Sequence, residues 1–262
     1  YSQFLNNGLK LGERKKFELA AFDIGNLYHS AIKDFFDTIN TNNIKWADLD
    51  DKKSENIIND SIEKVMEQYE NDALNDIARS AFIKKQVKDT STETVNALVK
   101  HIRSGNFLPR EYELRIAHGR VDRVDTFEDG NNIYVKVIDY KSGNKVFNVT
   151  ETFLGLQMQL MVYLKDTVDY IKKNNPDKNV YPAAGLYFHV YDPYVSEIDC
   201  EKAVSDFRKN NPDSELSDEE LKKMAIEGER FKAYRMSGLV AKEIEIVNAM
   251  DHNTITKIGS SA

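Results

Sequence analysis

The run Ile133-Tyr-Val-Lys-Val-Ile-Asp-Tyr-Lys141 is rich in β-branched and aromatic residues and reads as a strand. In a strand every second side chain shares a face, so Ile133, Val135, Val137, Asp139 and Lys141 lie together and an apolar surface ends in an acid and a base. Placing ionised groups where hydrophobes pack costs several kcal/mol per ion unless something compensates, and a divalent cation held by carboxylates does so. Just upstream, across the turn Glu128-Asp-Gly-Asn-Asn132, the stretch Gly119-Arg-Val-Asp-Arg-Val-Asp125 forms a neighbouring strand carrying Asp122. Asp122, Asp139 and Lys141 are therefore expected at the ends of two adjacent strands, in a metal-dependent hydrolytic site.

The elements around this pair follow from periodicity. From Asp23 to Asn40 apolar residues recur at helical spacing, with Asp23 as the expected N-cap. Residues 53–103 carry two or three further helical patterns that close at Gly105 and read as an insertion. After Pro109 the period drops to two at Tyr112, Leu114 and Ile116, giving three short-looped strands and hence an antiparallel meander. Thr152 to Lys173 returns to helical spacing, and Ala183 to Tyr191 reads as a buried strand. A strand reached through one long helix makes a crossover, which sets 183–191 parallel to a meander strand. Residues 196–216 are polar and are expected to be an exposed, disordered excursion, before a capping box at Ser217-Asp-Glu-Glu220 opens a helix towards Tyr234.

Composition narrows the class. With 262 residues and 41% hydrophobic content the chain can bury one sizeable core plus a helical insertion. A net charge of -7 argues against a wholly basic nucleic-acid coat, so any DNA contact is local or shared with a partner. Cys200 is the single cysteine, which excludes an internal disulfide and any four-cysteine metal site within the chain and favours an intracellular, cytoplasmic home. No apolar run approaches the roughly 18 residues of a spanning helix, and there is no charged-then-apolar leader. The start at Tyr1 inside an amphipathic pattern suggests an excised piece of a longer chain.

Asp-x-Lys on a strand is commonly a surface ion pair, but here it ends an apolar run, is followed by Ser142-Gly143, and is preceded by an acid flanked by Arg120 and Arg123. Gly119-Arg-Val-Asp-Arg-Val-Asp125, Ile138-Asp-Tyr-Lys-Ser-Gly143 and Gly155-Leu-Gln-Met-Gln-Leu-Met-Val-Tyr163 resemble the three successive motifs of the RecB-type PD-(D/E)XK nucleases. Within them the chain is similar to AddB-type nuclease domains, from Gly8-Leu-Lys-Leu11 to about Tyr234-Arg-Met-Ser-Gly-Leu239. The resemblance implies an α/β, restriction-endonuclease-like core of helix, three-strand antiparallel meander, crossover helix and parallel strand. One nuclease domain over 1–262 is expected, with its core at about 20–40 and 108–192, a helical insertion at about 41–105 and a C-terminal helical extension at about 193–262.

Residue by residue, the resemblance implies that Asp122 and Asp139 bind the catalytic Mg2+ or Mn2+, that Lys141 is the motif lysine, and that Tyr140 lends its backbone carbonyl. His29 matches a helix histidine that serves as a further metal ligand; by itself, a histidine beside an apolar helix stripe is more often a packed core residue. Gln159 and Tyr163, four apart on one helix face, match a Gln-x-x-x-Tyr motif that contacts DNA or the lysine, a role Gln157 is able to share. Glu113 is left unassigned, since strand carboxylates facing solvent are ordinary. The family's iron-sulfur cluster has none of its four cysteines here, so none is expected in this chain. The implied function is a DNA exonuclease acting on single-stranded ends with an AddA-like helicase partner in double-strand-break repair and recombination. Two alternatives stay open: a non-catalytic DNA-binding or scaffolding domain with a nuclease fold, and a related CRISPR-adaptation or phage exonuclease.

Overall fold

The computed structural model describes residues 21–73, 77–143, 146–212 and 214–255; the Gly8–Leu11 segment lies outside them. Helix α1 (Ala21–Thr41) leads into α2 (Asp51–Ala73) and α3 (Ile77–Arg103), then the meander β1 (Leu108–Ile116), β2 (Gly119–Asp129) and β3 (Asn132–Lys141). After α4 (Val149–Phe153) and α5 (Gln159–Asn174) the chain forms β4 (Asn179–His189), α6 (Glu197–Asn210), α7 (Asp218–Ala233), β5 (Ser237–Val240), α8 (Ile244–Ala249) and α9 (His252–Ile255). The sheet order is β1-β2-β3-β4-β5, antiparallel throughout except for the parallel pair β3 and β4. The helix, three-strand antiparallel meander, crossover helix and parallel strand stand in the order expected from the motifs.

The sheet separates two cores. On one face α1, α2 and α3 bury Phe35, Phe36, Ile58 and Leu98 against Ile138 and Phe188. On the other, Leu114, Val121, Val124, Ile133, Val135 and Val137 pack with Ile171 of α5. The apolar face of β3 that ends in Asp139 and Lys141 is thus the α5 side, and the site sits where α5 begins.

Four local expectations are corrected. Asp23 lies inside α1 rather than at its cap. The helix expected over 152–173 is two helices, because Gly155 adopts φ 79, and the Leu156 amide bonds the Glu151 carbonyl while that of Gly155 bonds Thr152. That pair of bonds is a Schellman stop, whose left-handed position favours glycine. Residues 197–210 are helical, not a disordered excursion: Ser196 caps α6 by accepting from the Asp199 amide, and Cys200 is buried on that helix. The buried strand runs Asn179–His189, four residues earlier at its start than its apolar run implies.

Candidate active site

The ladder between β2 and β3 ends at the pair Arg123 and Ile138, before either strand does. Beyond that point the Tyr140 amide donates not to backbone but to Asp122 Oδ2, at 2.7 Å. The carboxylate of Asp122 therefore fills the opening between the strands, and a pocket forms there, lined by His29, Asp122, Asp139, Lys141, Gln159 and Tyr163 among others. All six site residues named from the sequence, with Tyr140, line this one pocket of about 580 Å3.

Two close approaches bring the helices in. Gly25 of α1 lies against Ser142, so a Cβ there would meet Ser142 Oγ at 3.0 Å. This contact aims His29, one turn further on, at the strand ends, with Nδ1 3.4 Å from Asp122 Oδ1 and its ring edge-on to Tyr140. Gly119, at φ 150, lies under Tyr163, whose phenol oxygen would be 2.9 Å from an added Cβ. Asp166 accepts from both the amide and the imidazole Nδ1 of His118, tying α5 to the β1–β2 turn. Gln159 at the start of α5 donates to Asp139 Oδ1 at 3.4 Å and to the Tyr163 hydroxyl at 3.1 Å. Its partner is thus an acid of the site rather than Lys141, which pairs by charge with Asp139. Gln157 turns away: its amide bonds Asn148, Val146 and Glu151 and holds the α4 turn together.

Glu113, which sequence reasoning left unassigned, joins the site. Side chains two apart on a strand should share a face, yet Tyr112 packs on the α1 side while Leu114 packs on the α5 side. The opposite strand reverses at the same level, with Val121 in the α5 core and Arg123 over the Phe36 ring of α1. The reversal falls on Glu113, whose φ is 52, a left-handed conformation unusual for a non-glycine residue. It leaves the Glu113 carboxylate, the Asp122 carboxylate and the His29 imidazole with ligand atoms all within 4.8 Å of one another. Nothing in the periodicity signals a face change, so the one available clue was a strand acid opposite a motif acid.

The electrostatics are those of a site short of positive charge. Burial and the neighbouring Asp122 push the Asp139 carboxyl above the ordinary carboxylate range, against the opposing pull of Lys141. Glu113 rises for the same two reasons, against Arg120. Burial lowers the His29 pKa, but its contact with Asp122 outweighs this and the net shift is upward. The buried oxygens Glu113 Oε2 and Asp139 Oδ2 pair by charge with Arg120 Nε and Lys141 Nζ, so three acids share two fixed cations here. Clustered carboxylates beside an imidazole are the donor set of a hard or borderline divalent cation, which accepts carboxylate oxygen and neutral nitrogen together. The residues present fit such an ion.

Residues 1–248 match the family model described as the PD-(D/E)XK nuclease superfamily. The chain is also 30% identical, over 97% of its length, to the B-type component of the ATP-dependent helicase/deoxyribonuclease of Clostridioides difficile, of which it covers 22%. It is 30% identical over 96% to the protein of the same name from Exiguobacterium sibiricum, again covering 22% of it. A third such protein, from Lachnoclostridium phytofermentans, is 32% identical over 78% of the chain, which covers 19% of it. The chain thus spans about a fifth of the length of these curated relatives. No helix among the described residues is long and apolar enough to cross a membrane.

Proposed function

Because the chain belongs to the PD-(D/E)XK nuclease superfamily, we propose that it is a divalent-metal-dependent exonuclease domain that hydrolyses DNA phosphodiester bonds, acting on single-stranded ends delivered by an AddA-like helicase partner. The observation that carries this reading is the convergence of Asp122, Asp139, Lys141 and His29 on one pocket, with the ligand atoms of Glu113, Asp122 and His29 all within 4.8 Å of one another. Homologues named as helicase/deoxyribonuclease components support the setting, DNA-end processing in double-strand-break repair and recombination in the bacterial cytoplasm.

His29, Glu113, Asp122, Asp139 and the Tyr140 carbonyl would hold the cation, magnesium or manganese, which supplies neutralisation of the scissile phosphate and activation of a water. The protein's own groups divide the remaining work. Lys141 carries a compact positive charge 5.6 Å from the centre of the Tyr187 ring, placed to stabilise charge developing on the phosphate or the attacking water. Gln159 orients Asp139 and, through Tyr163, is held over the Gly119 backbone, so this pair positions both a ligand and the strand. A non-catalytic scaffold has no use for an intact set of acids with a lysine, and no observation favours it.

The test is cleavage of a labelled single strand with and without added manganese. Metal-dependent degradation by the parent, lost in Asp139→Ala with the melting temperature preserved, is the expected result. Undiminished cleavage by Asp139→Ala would sink the assignment.

A further inference from the structure

Helix α3 of the insertion contributes nothing to the pocket of acids, yet it forms one wall of a second groove of about 730 Å3. The other wall is Tyr28 of α1 with Tyr191, just past β4, and the floor is Ser142 and Gly143, which the catalytic pocket shares. The two cavities therefore meet at the residues that follow Lys141. Into the groove α3 presents Phe82, 69% exposed, and, three residues on, the exposed Lys85. Tyr191, 38% exposed, lines the other side.

A phenylalanine this exposed on a helix gains nothing for the fold, and its place is not arbitrary, since it borders a groove that shares Ser142 and Gly143 with the catalytic pocket. The charges select what fits. Lys85 is accompanied by Asp89 and Asp192 in the lining, and the whole chain carries a net charge of -7. A surface of that kind does not hold a nucleic acid by phosphate neutralisation, which needs clustered cations. What it offers a strand is aromatic rings, on which unpaired bases stack without regard to sequence, with Lys85 as the lining's cation for a phosphate.

We propose that this groove receives the unpaired bases of the DNA strand whose scissile phosphate lies in the catalytic pocket, with Phe82 and Tyr191 as stacking platforms and Lys85 on a phosphate. The insertion is then one wall of a single-strand channel. A duplex does not expose base faces for such stacking, so the groove selects single strands. This rests on the nuclease reading above.

The probe is a fluorescent oligothymidylate of about 12 nucleotides, within the roughly 4–16 nucleotides that a single-strand groove spans, titrated with the full chain while metal is chelated. Phe82→Ala and the double change Phe82→Ala with Lys85→Ala are expected to weaken binding about tenfold or more, as loss of one stacked base does, with unchanged melting temperature. Phe82→Trp is expected to keep the affinity and to show quenching of the added indole on DNA binding. In parallel, manganese-dependent hydrolysis of bis(p-nitrophenyl) phosphate by the parent reads the catalytic pocket alone. A parent that hydrolyses this diester, with variants that bind the oligonucleotide as the parent does, overturns the groove and leaves the nuclease reading intact. A parent inert towards the diester overturns the nuclease reading and this proposal with it.

Discussion

Two clusters of buried charge are built on the same pair of strands, and they differ in whether the protein satisfies them. On the α1 side Arg123 forks onto both oxygens of Asp125, at 2.7 and 2.8 Å. Lys136 reaches the same carboxylate at 2.9 Å, with no part of Arg123 or Asp125 exposed. Further along this face Asp251 accepts from His101 Nδ1 at 2.8 Å and from both the amide and hydroxyl of Thr254. The acids here are held below the ordinary carboxylate range: burial raises them, but Arg123 and Lys136 for Asp125, and His101 for Asp251, outweigh it. On the other side of the opening, Glu113 and Asp139 are raised, because burial and the neighbouring Asp122 outweigh the pull of Arg120 and Lys141. The first cluster is neutralised by the protein's own cations, whereas the second gathers Glu113, Asp122 and Asp139 against Arg120 and Lys141, the arrangement that the proposed cation would complete.

The largest effects should come from the incomplete cluster. Asp122→Ala or Asp139→Ala is expected to abolish metal-dependent cleavage. With metal chelated, Asp139→Ala should not lower the melting temperature, since it removes repulsion between like charges, whereas Asp122→Ala also strands the Tyr140 amide and should cost about 1–3 kcal/mol. A large loss of metal-free stability in Asp139→Ala would show that this acid is structural. Lys141→Ala should slow single-turnover cleavage at saturating DNA by about a hundredfold or more, as loss of one electrostatic stabiliser does. Cleavage at the parent rate would remove lysine from the chemical step.

In the completed cluster the same kind of change should act on stability. Asp125→Ala strands the Arg123 guanidinium in the core, so unfolding in urea should show a loss of about 3–5 kcal/mol. A loss below about 1 kcal/mol would mean the network is not the clamp its geometry suggests. Asp251→Asn, which keeps the shape and weakens the bond to His101, should cost less, about 1–3 kcal/mol.

The smallest effect is the sign of the acid limb. Groups held low in the folded state, Asp125 and Asp251, contribute stability that is present above the unfolded carboxylate value of about 3.9 and is lost as pH falls below it. Groups held high, Asp139 and Glu113, bind protons more tightly when folded, so with metal absent they make stability rise as pH falls from neutrality towards that value. Metal-free stability should therefore rise slightly on acidification and then drop below about pH 4. Asp139→Asn should flatten the rise, and Asp251→Asn should soften the drop. A rise that persists unchanged in Asp139→Asn would assign it to other groups.

What was legible in the sequence follows the same division. Period-two alternation located β2 and β3, and with them the opening that Asp122 fills; helical spacing put His29, Gln159 and Tyr163 on α1 and α5, and all line one pocket. Alternation failed where the backbone leaves the regular strand. At Glu113 the positive φ exchanges the faces of Tyr112 and Leu114, so an acid that alternation left unassigned joins His29 and Asp122. Arg123, read as a flank of the motif acid, goes to the opposite face and is fully buried against Asp125. Gly155 was a visible stop signal, but the apolar spacing on either side of it concealed the break between α4 and α5. The polar residues 197–210 form a helix that Ser196 caps and that buries Cys200, a tertiary contact which composition alone does not register.

The most direct test of the central claim is a calorimetric titration of the chain with manganese, set beside the same titration of Asp122→Asn and of Asp125→Asn. The expected result is stoichiometric binding by the parent, loss of binding in Asp122→Asn, whose side chain lies among His29, Glu113 and the Tyr140 amide, and retention in folded Asp125→Asn. Equal binding by the parent and Asp122→Asn would contradict it.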